Sequence, residues 1–371
     1  MYPLIPTSRQ TESEWRNQST QKPPHKAVYM QDANADTVLK AAYEHTATVW
    51  TGDFHQAKQV LAAMKKRVRK PVKSKQTPAD VQTAFHTHRM RQAQQSRVLN
   101  MLAVEIGVGF ALDMPRAPDV RAALLDVYGE DNASSFLLPL NQLLGFIGAH
   151  EWHKKGIEIG ALDGRIHVPF GVFSPLRGEY LDLLATAPLD KRFQTVFDIG
   201  TGSGVIAALL AKRGVPHITA TDTNPQAVAC AAANFARLGV EGRITLAEKD
   251  LFPEGRADLI VCNPPWLPAK PTSPIETALY DPGHAMLKAF LGGAAAHLND
   301  GGEAWLIMSD LAEHLGLRAK DELDKMFQTA SLKVIETLHI KPKHGKAFDE
   351  SDPLAFARSQ ETTSLYRLKA V

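Results

Sequence analysis

The chain has 371 residues, 44% of them hydrophobic and 22% charged, with a formal net charge of +2. That length suits about two domains with an ample core, and the composition excludes a disordered, collagenous or disulfide-stapled chain. Two cysteines, Cys230 and Cys262, read as small buried hydrophobes and fit a reducing compartment. No apolar run is long enough to span a membrane, and the N-terminus lacks the charged, apolar, small-residue order of a secretion signal, so a cytoplasmic location is expected.

Residues 1–26 are polar and proline-punctuated and are expected to form a disordered tail. A helical, basic domain is expected over residues 27–153. Asp36 to Val49 and Asp53 to Val68 read as its first helices, the second with Phe54, Ala57, Val60, Leu61 and Met64 at helical spacing. The stretch Lys70-Pro71-Val72-Lys73 breaks it. Thr77 then caps a further helix, with Pro78 at its first position and Asp80 at its third, and the helix is expected to run on towards Glu105. From Phe54 to Asn100 eleven Lys/Arg stand against Asp80 alone, an electrostatic pattern suited to phosphates. Interleaved aromatics are lacking, so stacking on single-stranded bases is not implied. Ala117 to Tyr128 and Ser134 to His153 complete the expected helices. His150-Glu151-Trp152-His153 is not the H-E-x-x-H pattern of a zinc helix and has no third ligand nearby in sequence, so no metal is expected.

Residues 154–180 form a hairpin and connecting loop in this reading. Ile157-Glu158-Ile159 and Arg165-Ile166-His167-Val168 alternate around Asp163-Gly164, a hairpin turn pair. From residue 181 onward an α/β pattern sets in. Val196-Phe197-Asp198-Ile199 reads as a buried strand that empties into Gly200-Thr201-Gly202-Ser203-Gly204 and then a helix, which presents backbone N–H groups to an anionic ligand. Dinucleotide sites want a third glycine where Val205 stands, so that reading is weakened. Thr219 to Asp222 ends a second strand, and an acid there can accept both hydroxyls of a ribose. Ala257 to Cys262 is a third strand, closing on Asn263-Pro264-Pro265-Trp266.

The motifs D-I-G-T-G-S-G, T-D-x-N-P, K-D-L-F and N-P-P-W, in that order, resemble those of class I S-adenosylmethionine-dependent methyltransferases. More narrowly they are similar to the branch that methylates planar amino nitrogens, which includes glutamine, adenine-N6 and ribosomal-RNA guanine-N2 methyltransferases. The resemblance covers about Phe170 to Val371. It implies a Rossmann-like, seven-stranded α/β sheet over residues 181–371, with the last strand inserted antiparallel, and S-adenosyl-L-methionine as cofactor. The cofactor would be held by Asp198, Gly200, Thr201, Gly202, Gly204, Asp222, Thr223, Asn224 and Asn263, with Asp250 and Leu251 beside its adenine.

Asn263, Pro264, Pro265 and Trp266 would carry the transfer. An amide or aromatic amino nitrogen is a poor nucleophile because its lone pair is delocalised. The Asn263 side-chain oxygen and the Pro264 carbonyl can each accept one of its N–H groups. The two prolines stiffen the loop, and Trp266 offers a flat face for stacking, where members of the branch more often carry tyrosine or phenylalanine. Phe170 to Pro175 resembles a loop that closes over cofactor and substrate. The segment after N-P-P-W, with Pro268, Pro271 and Pro274, would help form the acceptor pocket. Downstream, Ala285 to Leu298 and Leu317 to Ala330 read as helices and Ala304 to Met308, Lys333 to Ile340 and Ser364 to Leu368 as strands; Lys341, Lys343, His344 and Lys346 make a second basic cluster.

The expected acceptor is an RNA base, guanine-N2 or adenine-N6 in ribosomal RNA, with RNA or a ribosomal component as partner. The alternatives are a glutamine of a release factor or ribosomal protein, and a catalytically inactive RNA-binding protein of the same fold.

Overall fold

The computed structural model describes residues 2–69, 80–175, 178–342 and 352–371, without the side chains of Pro274 and Ile275. They fall into two compact units. One gathers the described residues of 1–75, 85–151 and 272–274, the other those of 76–84, 152–271 and 275–371.

The first unit is built on a sheet rather than on helices alone. Its strands are β1 (Leu4–Pro6), β2 (Glu12–Trp15), β3 (Lys26–Met30), β4 (Thr46–Trp50), β5 (Leu102–Ile106) and β6 (Phe136–Pro139), and its helices are α1 (Ala35–Tyr43), α2 (Phe54–Val68), α3 (Val81–Leu99), α4 (Arg121–Tyr128) and α5 (Leu140–Lys155), with the ends of α3 and α5 belonging to the other unit. The sheet order is β1-β2-β6-β5-β4-β3. Strands β3, β4 and β5 run parallel, whereas β6 opposes β5.

Two sequence expectations are corrected here. The stretch expected to be a disordered tail supplies β1 and β2, paired from Leu4 to Glu14 and from Pro6 to Glu12. The domain expected to be helical carries three buried strands inside segments read as helix. After α1, His45 adopts φ 55°, and the β-branched run Thr46-Ala47-Thr48-Val49-Trp50 becomes a strand buried along its whole length. Thr46 and Thr48 are buried along with Ala47 and Val49, so the strand has no solvent face, and a short run of this kind next to a helical pattern is easily taken for its continuation. Leu102–Ile106 and Phe136–Pro139 repeat the pattern. The helix over Phe54–Val68 forms as expected, capped by the Asp53 carboxylate on Gln56 N; the expected cap at Thr77 and Pro78 lies outside the described residues.

The second unit opens with the antiparallel pair β7 (Ile157–Ile159) and β8 (Gly164–Ile166), the expected hairpin. There follow α6 (Glu179–Thr186), β9 (Thr195–Ile199), α7 (Val205–Lys212), β10 (His217–Asp222), α8 (Pro225–Leu238), β11 (Ile244–Glu248), β12 (Ala257–Cys262), α9 (Ala285–His297), β13 (Leu298–Ser309), α10 (Leu311–His314), α11 (Glu322–Thr329), β14 (Leu332–Ile340), α12 (Ala355–Arg358) and β15 (Thr363–Ala370). The seven strands lie in the order β11-β10-β9-β12-β13-β15-β14. All neighbours are parallel except β15, which runs antiparallel between β13 and β14. This is the class I, Rossmann-like arrangement expected from the resemblance.

Apolar residues of α6, α7 and α8 build the core on one face and those of α9 and α11 the core on the other. Buried on both sides, the central strands read as near-continuous apolar runs. The single helix expected over Leu317–Ala330 forms as α11, starting later at Glu322 and preceded by the short α10 and a turn at Gly316 with φ 67°. The expected basic cluster after Ile340 lies outside the described residues beyond Lys341.

Candidate active site

Motifs far apart in sequence leave the sheet at one level. In the strand register Ile199 of β9 lies between Thr221 of β10 and Cys262 of β12. Gly200, Asp222 and Asn263 therefore emerge side by side at the carboxyl end of the sheet. β9 is also where the strand order reverses, with β10 and β11 on one side and the later strands on the other. Open α/β sheets bind their ligands in that crevice.

The glycine turn is held from both neighbouring strands. Gly200, Gly202 and Gly204 have φ of 71°, 56° and 82°, a region that costs side-chain-bearing residues strain. A Cβ on Gly204 would lie 2.6 Å from the Phe235 ring, so this glycine lets α7 and α8 close together; a Cβ on Gly202 would meet nothing within 4 Å. Gly202 thus faces open space on the side where a side chain would project. Thr201 N donates to Thr221 O at 2.8 Å, and Gly202 N donates to the Asp222 carboxylate at 2.9 Å.

Asp198 is fully buried beneath this turn. Its Oδ2 accepts the Thr201 hydroxyl at 2.7 Å and Ala207 N at 3.1 Å, satisfying one of the free N–H groups in the first turn of α7. Its Oδ1 is buried with no hydrogen-bond partner among the described residues. Burial, with a smaller contribution from the Asp222 charge, pushes its carboxyl up to about 7. An orphaned buried carboxylate oxygen suits a ligand that brings a donor to it, such as the ammonium of S-adenosylmethionine.

Asp222 uses one oxygen on Gly202 N and the other on Asn224 N, each at 2.9 Å. Each keeps a free lone pair with which to accept a ribose hydroxyl. Asn224 caps α8 by accepting from Gln226 N at 3.0 Å, while Thr223 is exposed. Lys249 N donates to Asp222 O at 3.0 Å, and the Thr221 hydroxyl donates to Leu251 O at 2.6 Å. These bonds bring exposed Asp250 and half-buried Leu251, with its φ of 53°, beside the end of β10.

On the other side of β9, Pro264 is buried and Asn263, Pro265 and Trp266 are half-buried. The Trp266 indole Nε1 donates to Asn263 Oδ1 at 3.0 Å. Beyond Trp266 the strap folds back: Leu267 bridges to Tyr280, and Asp281 N donates to Leu267 O at 2.8 Å.

Residues 164–337 match the methyltransferase small domain family. The chain is 31% identical over 163 residues to a protein of Methanocaldococcus jannaschii provisionally named as a protein N5-glutamine methyltransferase, over 42% of this chain and 80% of that one. It belongs to this methyltransferase family. It is also 42% identical over 138 residues to a release factor glutamine methyltransferase of Cereibacter sphaeroides, over 33% of this chain and 49% of that one. A tRNA1(Val) (adenine(37)-N6)-methyltransferase of Cytophaga hutchinsonii is 28% identical over 172 residues, 42% of this chain and 72% of that one. The chain spans about half the length of several curated relatives it matches.

The site of this family member contains residues that sequence reasoning did not single out. Asp281 is buried, and its two oxygens accept Met286 N at 3.0 Å and Leu287 N at 3.1 Å, so it fastens the segment after N-P-P-W to the start of α9. Met286 reaches Gly200, where a Cβ would lie 2.9 Å from its terminal carbon. Phe252 stacks on His297 at 4.2 Å between ring centroids, which anchors the K-D-L-F segment to α9. The only local signal for Asp281 was its place in a D-P-G turn, and stacking between Phe252 and His297 leaves none. The expected closing loop places Gly171 O 3.5 Å from Asn224 Nδ2 and buries Val172; Leu176 and Arg177 lie outside the described residues.

In the first unit, His150 Nδ1 lies 2.8 Å from the Asp126 carboxylate. The sequence reading found no third group near the histidine run; the fold brings one from α4. The basic stretch forms α2 and α3, where Lys66, Arg69 and Arg91 are exposed and Arg67 pairs with Asp36 at 2.9 Å. The lysines at 70, 73 and 75 lie outside the described residues. Among the described residues no helix is long and apolar enough to cross a membrane.

Proposed function

We propose that this protein is an S-adenosylmethionine-dependent N-methyltransferase that modifies a planar amino nitrogen, and that its acceptor is an RNA base, guanine-N2 or adenine-N6. The observation that carries the reaction type is the shared register of Ile199, Thr221 and Cys262, which sets the glycine turn, the ribose acid and Asn263 around one crevice.

The cofactor supplies an electrophilic methyl group on a sulfonium. The glycine turn Gly200–Gly204 would lie against the carboxylate end, Asp198 would hold the ammonium, Asp222 the ribose, and Asp250 with Leu251 the adenine. Asn263 Oδ1 and the Pro264 carbonyl each accept one hydrogen of the acceptor nitrogen. Those bonds hold the nitrogen with its lone pair facing the methyl group and stabilise the positive charge that grows on it. Neutral Asn263 is no base, so the proton departs to water after transfer. Pro264 and Pro265 keep these acceptors in place before the substrate arrives.

RNA is favoured as acceptor by the first unit. In the described parts of α2 and α3, from 54 to 69 and 80 to 99, eight Lys/Arg stand against Asp80. Phosphate contacts of this kind supply affinity without reading sequence. A glutamine side chain in a release factor or ribosomal protein is the second reading, favoured by the names of several relatives. Action on RNA or on translation proteins would place the chain in the cytoplasm.

The test is transfer of labelled methyl from S-adenosylmethionine into a lysate of cells lacking the protein, with RNA and protein fractions counted separately. Label in RNA that digests to a methylated guanosine or adenosine is expected. Label confined to protein would replace this acceptor with glutamine, and no label in either fraction would leave the inactive RNA-binding reading standing.

A further inference from the structure

The hydrogen bond between Trp266 and Asn263 has a direction. An indole nitrogen can only donate, so the bond of 3.0 Å sorts the two ends of the Asn263 amide, with oxygen towards Trp266 and NH2 away. The terminal torsion of a free asparagine is broad. Here it is held, because the indole itself is packed against the apolar clusters on both faces of the sheet. A carbonyl oxygen has two lone pairs; the indole takes one and leaves one.

We propose that Trp266 is a positioning residue that locks Asn263 and, through that lock, limits the site to one methyl transfer per nitrogen. The inference rests on the transferase reading above. A primary amide or exocyclic amino group gives one hydrogen to the remaining lone pair of Asn263 and the other to the Pro264 carbonyl. The nitrogen lone pair forms the new N–C bond, the methyl carbon's bond to sulfur breaks with its electron pair staying on sulfur as a thioether, and a proton passes from nitrogen to water. The product keeps one hydrogen. To react again it must place its new methyl where a hydrogen bond had been, against an oxygen that cannot swing aside. That oxygen loses its partner, which slows a second transfer on the order of 10- to 100-fold.

Two measurements test this. The first is solvent exchange of the Trp266 indole N–H in nitrogen-15-labelled protein, assigned by its loss in Trp266→Phe. Slow exchange in the native protein and exchange about tenfold faster in Asn263→Ala is expected, and equal rates in both would overturn the lock. The second compares native protein and Trp266→Phe, which keeps a packed ring and removes the donor. The variant is expected to bind S-adenosylmethionine within about threefold of the native Kd, a check on folding. Initial methyl transfer into the lysate fractions is expected to fall about tenfold, with dimethylated product appearing beside the monomethylated one by mass spectrometry. Dimethylated product from the native protein, or an unchanged rate with monomethylated product alone from the variant, would overturn the product limit. No incorporation by the native protein would sink the transferase reading and the limit with it, while the exchange measurement would still decide the lock.

Discussion

The Asp222 carboxylate accepts the Gly202 backbone N–H at 2.9 Å, tying the end of β10 to the turn that leaves β9. One side chain thereby shapes the glycine turn, and in the proposed site its remaining lone pairs would accept a ribose. Asp222→Ala is expected to weaken S-adenosylmethionine binding about 30- to 100-fold, the loss of two charge-assisted bonds to the ligand plus a loosened turn. Isothermal titration calorimetry measures it, and a Kd within about threefold of native would remove Asp222 from the site.

The glycines separate fold from binding. Gly204→Ala puts a Cβ 2.6 Å from Phe235 at a φ of 82°, so thermal unfolding should show a loss of about 2–4 kcal/mol. Gly202→Ala meets no atom within 4 Å at a φ of 56°; its cost to the fold should be about 1 kcal/mol. Its cost to cofactor affinity should be the larger, because the added methyl projects into the space left for the ligand. The reverse ranking would mean that the open face of the turn is not where the cofactor lies.

Asp198 gives the site a pH dependence with a definite sign. Its folded carboxyl is raised to about 7, whereas unfolded aspartate titrates near 4. Between those values the folded state binds the extra proton, so the cofactor-free protein should lose stability as pH rises from about 4 to about 7, by up to about 4 kcal/mol, and no further above. Asp198→Asn should flatten that slope in urea melts across the range. S-adenosylmethionine brings an ammonium to the ionised carboxylate, so its affinity should rise as pH passes through about 7; affinity falling there would contradict the assignment of Asp198 to the cofactor's ammonium.

Asn263→Ala should abolish methyl transfer while leaving S-adenosylmethionine affinity within a few-fold, about 1 kcal/mol or less. Radiolabel transfer and calorimetry on the same preparation separate the two, and a lost cofactor site would contradict the role given to this side chain.

Reversing Lys66, Arg69 and Arg91 to glutamate tests the basic face of α2 and α3. RNA affinity in low salt should fall at least about tenfold, and the dependence of log K on log salt should become shallower. Unchanged affinity would detach this face from RNA.

The order of D-I-G-T-G-S-G, T-D-x-N-P, K-D-L-F and N-P-P-W was enough to place three strand ends, because each motif is local. Its glycines, its acid and its amide each lie at the end of, or directly after, a strand whose run is plain in the sequence. Pairing was not local. That Ile199 stands level with both Thr221 and Cys262, that Asp281 fastens the strap to α9, and that His297 backs Phe252 were decided by tertiary structure, since each joins residues with no spacing rule between them. The first unit shows the limit most plainly. Thr46–Trp50, Leu102–Ile106 and Phe136–Pro139 are short, largely buried runs adjoining helical patterns, and only lateral hydrogen bonding to other strands made them sheet. A strand of four or five residues is too short for its own periodicity to separate it from an adjoining helix, so its identity resides in its neighbours.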